Sequence, residues 1–204
     1  MKKDATYSKL WIGLAKLLAT SIMGVGFAAD VAAAEDFSKP IPLPDVQHTT
    51  NYSKRGVKFA VPGNWTVTRN ETNSNVVQVD VDANKPGLEG IALNTQIQIY
   101  PLSIAPSLQE AAEFLTNMAR EDSKYLTPTK YQPLKISGAE ALGVRYINNN
   151  FGAGDPYAKH FHLYARKACG KGFVCIIFTQ TLEVNEHAAR LGLDKVVSTL
   201  SYSR

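Results

Sequence analysis

The chain has 204 residues, a formal net charge of +4, 45% hydrophobic residues and 20% charged residues. That length and balance suit one globular domain with its own core and argue against intrinsic disorder. No stretch reaches the five or six like charges of a nucleic-acid-binding arm, so no nucleic acid is expected as a partner.

The chain opens on a leader. Lys2, Lys3, Lys9 and Lys16 are followed by an apolar run from Leu17 to Ala29, then by small residues ending in Ala32-Ala33-Ala34. This is the layout of a secretory signal peptide, with Ala32 and Ala34 in the A-x-A positions and cleavage expected near Ala34. The run is shorter than the roughly 20 residues that cross a bilayer, and glycines 24 and 26 weaken it as a permanent helix. We therefore expect a periplasmic or secreted protein with no stable membrane span after cleavage. Removing residues 1–34 takes away four lysines and two aspartates, which leaves 170 residues and a net charge of about +2. No cysteine lies near the cleavage point, which argues against a lipid anchor.

Residues 35–51 contain Pro40, Pro42 and Pro44 with few apolar residues, and read as a Pro-rich tether. A single α+β domain is expected over residues 52–204. Val57, Phe59 and Val61 alternate with polar or small residues, Pro62-Gly63-Asn64 breaks the run, and Trp65–Thr68 resumes it, which predicts a hairpin. Residues 70–75 read as a polar turn. Val77, Val79 and Val81 then oppose Gln78, Asp80 and Asp82, and Thr95, Ile97 and Ile99 oppose Gln96 and Gln98. Both are strands with one polar face.

Next the period changes. Leu108, Ala111, Ala112, Leu115, Met118 and Ala119 fall at helical spacing, and Ser107 with Glu110 forms a capping box, so a helix is expected to about Asp122. Strand signals return at Leu134–Ser137 and Leu142–Asn148, broken by Gly138. His160–Lys167 and Phe173–Thr181 flank Gly170-Lys171-Gly172 and predict a second hairpin. Phe173–Phe178 is apolar on both faces, as a central strand would be. A last helix is expected from about Asn185, a candidate cap, with Ala188, Leu191, Val196 and Val197 apolar.

Antiparallel strands joined by short turns, with helices packed on the sheet, are the predicted architecture. The stretch Gly56-Val57-Lys58-Phe59-Ala60-Val61-Pro62-Gly63-Asn64-Trp65 resembles the G-x-x-F-x-x-P-x-x-W opening of the PsbP-like and DcrB-like superfamily. The element order over about residues 52–203 is similar as well. The resemblance implies an α/β/α sandwich, common in exported or extrinsic proteins that bind other proteins. It implies no shared catalytic site, so no functional residue carries over.

Cys169 and Cys175 are the two cysteines, an even count in an exported chain, and the hairpin arms would bring them within disulfide reach. They lack C-x-x-C redox spacing. His160, His162, Tyr164 and Arg166 share one strand face, which reads as a polar, aromatic recognition surface. Asp155 and Tyr157, in an Asn- and Gly-rich loop, are candidates to extend it. The alternative use of His160 and His162 is a metal site, completed by Asp80 or Asp82 if their strand lay alongside. No G-x-S-x-G, H-E-x-x-H, P-loop or dinucleotide-binding glycine pattern occurs. The sequence thus points to an exported, non-enzymatic protein without a cofactor, binding another protein of the cell envelope. A hydrolytic or carbohydrate-active enzyme and a purely structural envelope protein are the remaining alternatives.

Overall fold

A computed structural model describes residues 40–73, 76–83, 93–122, 130–147 and 159–203. The leader, and the loop holding Asp155 and Tyr157, lie outside the described residues. The fold is α+β, with two antiparallel sheets. The smaller sheet has the order β1-β2-β10, from Thr49–Lys54, Val57–Pro62 and Ser201–Tyr202. The larger has the order β3-β4-β5-β9-β8-β7-β6. Its strands are β3 (Trp65–Asn73), β4 (Val76–Ala83), β5 (Leu93–Pro101), β6 (Gln132–Ile136), β7 (Ala139–Ile147), β8 (Lys159–Gly170) and β9 (Phe173–Leu182). Helix α1 (Leu108–Asp122) follows β5, and helix α2 (Glu186–Thr199) follows β9 through a 3-10 turn at Glu183–Asn185. None of these helices is long and apolar enough to cross a membrane.

Each face of the large sheet has its own core. On one face Val79, Val81, Ile97, Ile99, Phe161, Leu163 and Ile177 meet the small sheet and α2, through Val57, Phe59, Leu193, Val196 and Val197. On the other, Ala112 and Leu115 of α1 pack on Val144, Tyr164 and Phe178, while Ala111 packs with Tyr100, Val174 and Ile176. Apolar side chains thus leave both faces of β9, which sits between β5 and β8 as its two-sided pattern requires.

Several local signals form as their chemistry dictates. Glu110 N donates to Ser107 Oγ at 3.2 Å, and Ser107 N donates to Glu110 Oε2 at 2.9 Å, so the capping box closes reciprocally. β8 and β9 pair across the two-residue turn Lys171-Gly172, where Gly172 takes φ +76°, a value that favours glycine.

Cys169 and Cys175 are bonded, with Cα atoms 5.8 Å apart. Cys169 falls where the β8–β9 register shifts, so the bond pins an irregular end of the hairpin. Replacing both cysteines with serine is expected to cost about 2 kcal/mol, because the closed loop is short and limits the unfolded chain only modestly. Parallel urea denaturation of wild type and the double variant measures it. A loss near zero would mean that the turn alone holds the register.

Four expectations are corrected. The strands over Val57–Val61 and Trp65–Thr68 do not pair as a hairpin. β2 pairs with β1 and β10, whereas β3 joins β4 at the edge of the other sheet. The corner between them is held from the N-terminal side. Gly63 N donates to Asp45 O at 3.0 Å, Asp45 N donates to Asn64 Oδ1 at 2.8 Å, and Asn64 Nδ2 donates to Leu43 O at 2.9 Å.

For the same reason the domain starts before Tyr52. Ile41 is buried in the main core and Pro44 is buried too, so this stretch of the tether is part of the domain. Asn185 does not cap α2 with its side chain; its Oδ1 accepts from Ile41 N at 2.8 Å and ties that segment down. Residues 70–73 continue β3 instead of turning, because they pair in register with Val76–Val79.

Candidate functional site

The predicted stripe lies on one face of β8, as its spacing requires, but the surface reading of His162 and Tyr164 is overturned. Helix α1 covers them. His162 is 3% exposed and Tyr164 is fully buried. Tyr164 stacks on Phe178 with ring centroids 5.2 Å apart, and His162 meets Phe178 edge-on at 5.0 Å. Their polar atoms join a buried chain of hydrogen bonds. Tyr131 donates its hydroxyl proton to Thr116 Oγ1 at 2.7 Å, the Thr116 and Tyr164 hydroxyls are hydrogen-bonded at 3.1 Å, and Tyr164 Oη lies 3.1 Å from His162 Nδ1. The chain fixes α1 and residue 131 onto the sheet, a structural task. Arg166 sits at the rim, where its Nε donates to Pro106 O at 3.1 Å.

The metal geometry fails on topology. β5 and β9 separate β4 from β8, so Asp80 and Asp82 stand three strand spacings, about 14 Å, from the histidines. Among the described residues no group of three or more His, Cys, Asp or Glu side chains is placed to hold a metal ion. Burial lowers His160 to about 4 and carries His162 well below its usual value, with the neighbouring His160 adding to the effect. Both imidazoles are neutral near pH 7.

The same sheet face stays polar along β4 and β5. Gln78, Asp80, Gln96 and Gln98 are buried there, and Asp82 and Asn94 are half-buried. Asp80 accepts from Gln78 Nε2 at 3.0 Å and lies 3.9 Å from Arg69 Nη1. Burial outweighs both partners and pushes its carboxyl up to about 6. A carboxyl at that value can exchange a proton near neutrality, but its contacts are those of a packed sheet face and not of an open cleft.

An open concavity lies elsewhere. A groove of about 950 Å³ runs beside α2, between its outer face and the elements holding Val46, Gln47, Lys135 and Ile136. α2 gives its inner side to Ala188, Ala189, Gly192, Leu193, Val196 and Val197, a continuous apolar stripe. Leu191 falls off that stripe and is 41% exposed, and Val184, seven residues earlier, is exposed to the same degree. Both line the groove. Its acidic side chains are held internally. Arg145 pairs with Glu183 at 2.9 Å and with Glu186, and Asp194 Oδ1 accepts from Ser137 N at 2.8 Å.

Sequence reasoning missed this groove, because it grouped Leu191 with the other apolar residues of the last helix without asking which face each takes. The signal was present in the pattern: Leu191 does not fit the i, i+4 spacing that links Ala188, Gly192 and Val196 or Ala189, Leu193 and Val197.

No protein-family model matches the sequence, and no curated protein matches it. Solved structures do show similarity. Cyanobacterial PsbP (CyanoP) from Synechocystis is 13% identical, with 88% of this chain and 99% of that one covered and a TM-score of 0.45. The Ran-binding protein Mog1p of Saccharomyces cerevisiae is 13% identical, over 76% of this chain and 95% of that one, with a TM-score of 0.48. A protein from Bacteroides thetaiotaomicron is 10% identical over 73% of this chain, with a TM-score of 0.42. This chain spans about half of that protein, 46% of its length. PsbP is thus among the structures this chain is similar to. The likeness is one of fold and carries no role across.

Proposed function

We propose that the chain is an exported, non-enzymatic protein that binds another component of the cell envelope through the groove beside α2. The order of basic, apolar and small residues over 1–34 supports export. The bonded cysteines support it too, since such bonds persist in oxidising compartments. The observation that carries the binding reading is the groove itself. It sets two exposed aliphatic side chains, Val184 and Leu191, among charged ones, a mixture of the kind recognition patches use.

Leu191→Asp places a charge where an apolar partner group would sit. Because Leu191 is exposed, the change is expected to leave stability within about 0.5 kcal/mol. Capture of the envelope partner in a pull-down should nevertheless fall by about tenfold or more, as for truncation of a binding hot spot. Undiminished capture by a folded Leu191→Asp protein would remove the groove as the binding surface.

A further inference from the structure

We propose that the groove beside α2 takes an extended acidic peptide segment bearing aliphatic side chains, presented by the partner protein. This rests on the binding reading above and adds the chemistry of what is bound.

The groove's charge is not balanced where a ligand would meet it. Glu183 and Glu186 face Arg145, Glu186 also lies 3.6 Å from Arg190, and Asp194 is occupied by the Ser137 backbone. Lys135 and Lys195 line the same groove, and neither side chain makes an ion pair or hydrogen bond with another described residue. Asp194 keeps its charge, but Arg145, Arg190, Lys135 and Lys195 outnumber Glu183, Glu186 and Asp194 by one, so the excess left to a ligand is positive and is carried by the two unpaired lysines. Val184, in the 3-10 turn before α2, and Leu191, on α2, add exposed aliphatic side chains to the lining.

The lining residues of α2 run from Glu186 to Ser198, about 18 Å of helix axis at 1.5 Å per residue. That length holds about five residues of extended chain. An extended segment that sets aliphatic side chains on Val184 and Leu191 and a carboxylate beside Lys135 and Lys195 satisfies both features. An anionic membrane surface fits less well. A flat plane of headgroups meets the rim of a concavity before it reaches the side chains that line it.

The test pans a random dodecapeptide phage library on the purified, disulfide-intact protein. Enriched sequences are expected to carry Asp or Glu beside Leu, Ile or Val. Retention of that pool is expected to fall about tenfold on the Lys135→Glu/Lys195→Glu variant, because complementary charge selects the ligand. Enrichment without acidic residues, retention indifferent to the charge reversal, or no enrichment at all would each overturn the inference. So would binding to phosphatidylglycerol vesicles that outcompetes the peptides. Capture of an envelope partner that is lost on Leu191→Asp but unmoved by Lys135→Glu/Lys195→Glu would overturn the acidic segment alone and leave the binding reading standing. Capture unaffected by either variant would remove both.

Discussion

Gly192→Ala is expected to lower the thermal midpoint by roughly 5–10 °C, a loss of about 2–3 kcal/mol. On an open helix face the same change would gain about 1 kcal/mol, because alanine is the better helix former. Here the helix lies against a ring. A Cβ on residue 192 would stand 2.1 Å from Trp65 Cη2 and 2.2 Å from Trp65 Cζ2, far inside van der Waals contact. Trp65 is 5% exposed and packed in the main core, so neither the ring nor the helix can move away without opening the core elsewhere. The contact joins α2 to the first strand of the large sheet, and α2 carries the groove. In a Trp65→Phe background the outer ring atoms are gone, and Gly192→Ala should be close to neutral. A similar loss in both backgrounds would show that the Trp65 contact is not what excludes a side chain at residue 192.

Acid should drain stability between pH 6.5 and 4, against an opposing contribution from the buried carboxylates Asp80 and Asp82. His160 is lowered from 6.5 to about 4 by burial. The unfolded chain binds that proton first, so His160 contributes stability above pH 6.5 that is lost as pH falls toward 4, about 3 kcal/mol. His162 is shifted in the same direction and adds to the loss. Asp80 acts in the opposite sense. Its folded value of about 6 against 3.8 unfolded penalises the native state above pH 6, and that penalty is relieved as pH falls toward 3.8, also by about 3 kcal/mol.

Burial raises Asp82 in the same sense, but His162 is carried well below its usual value, so the two histidines outweigh the two carboxylates and net stability declines on acidification. Asp80→Asn removes the Asp80 share of the compensation. The variant should be more stable than wild type at pH 7, by up to about 3 kcal/mol, and should lose stability more steeply below pH 6. Urea unfolding from pH 4.5 to 7.5 on both proteins measures this. An Asp80→Asn protein less stable than wild type at pH 7 would contradict the burial account of that carboxyl.

Much of the fold was legible because its signals are local. The Ser107–Glu110 box, the Lys171-Gly172 turn and the two-faced apolar run of β9 each specify their own geometry within a few residues. What was illegible depends on which element lies against which. Period-two alternation at Val57–Val61 reports which side chains share a face, but not which strand lies alongside, and β2 went to the other sheet. His162 and Tyr164 read as surface residues because they are polar. They are core because α1 brings Ala112, Leu115 and Thr116 over them and Thr116 meets the Tyr164 hydroxyl. Ile41 and Pro44 looked like tether because prolines surround them, yet Asn185 and Asn64 hold that segment in place.

The stripe that looked most functional in the sequence therefore holds the domain together, and the binding surface we propose is the outer side of α2. The most direct measurement is photo-crosslinking in the native envelope, with the reactive side chain placed at residue 191 and, as a control, at the exposed turn residue 171. A discrete protein adduct from residue 191 that is absent from residue 171 is the predicted result. Identical adducts from both positions, or none from residue 191, would contradict it.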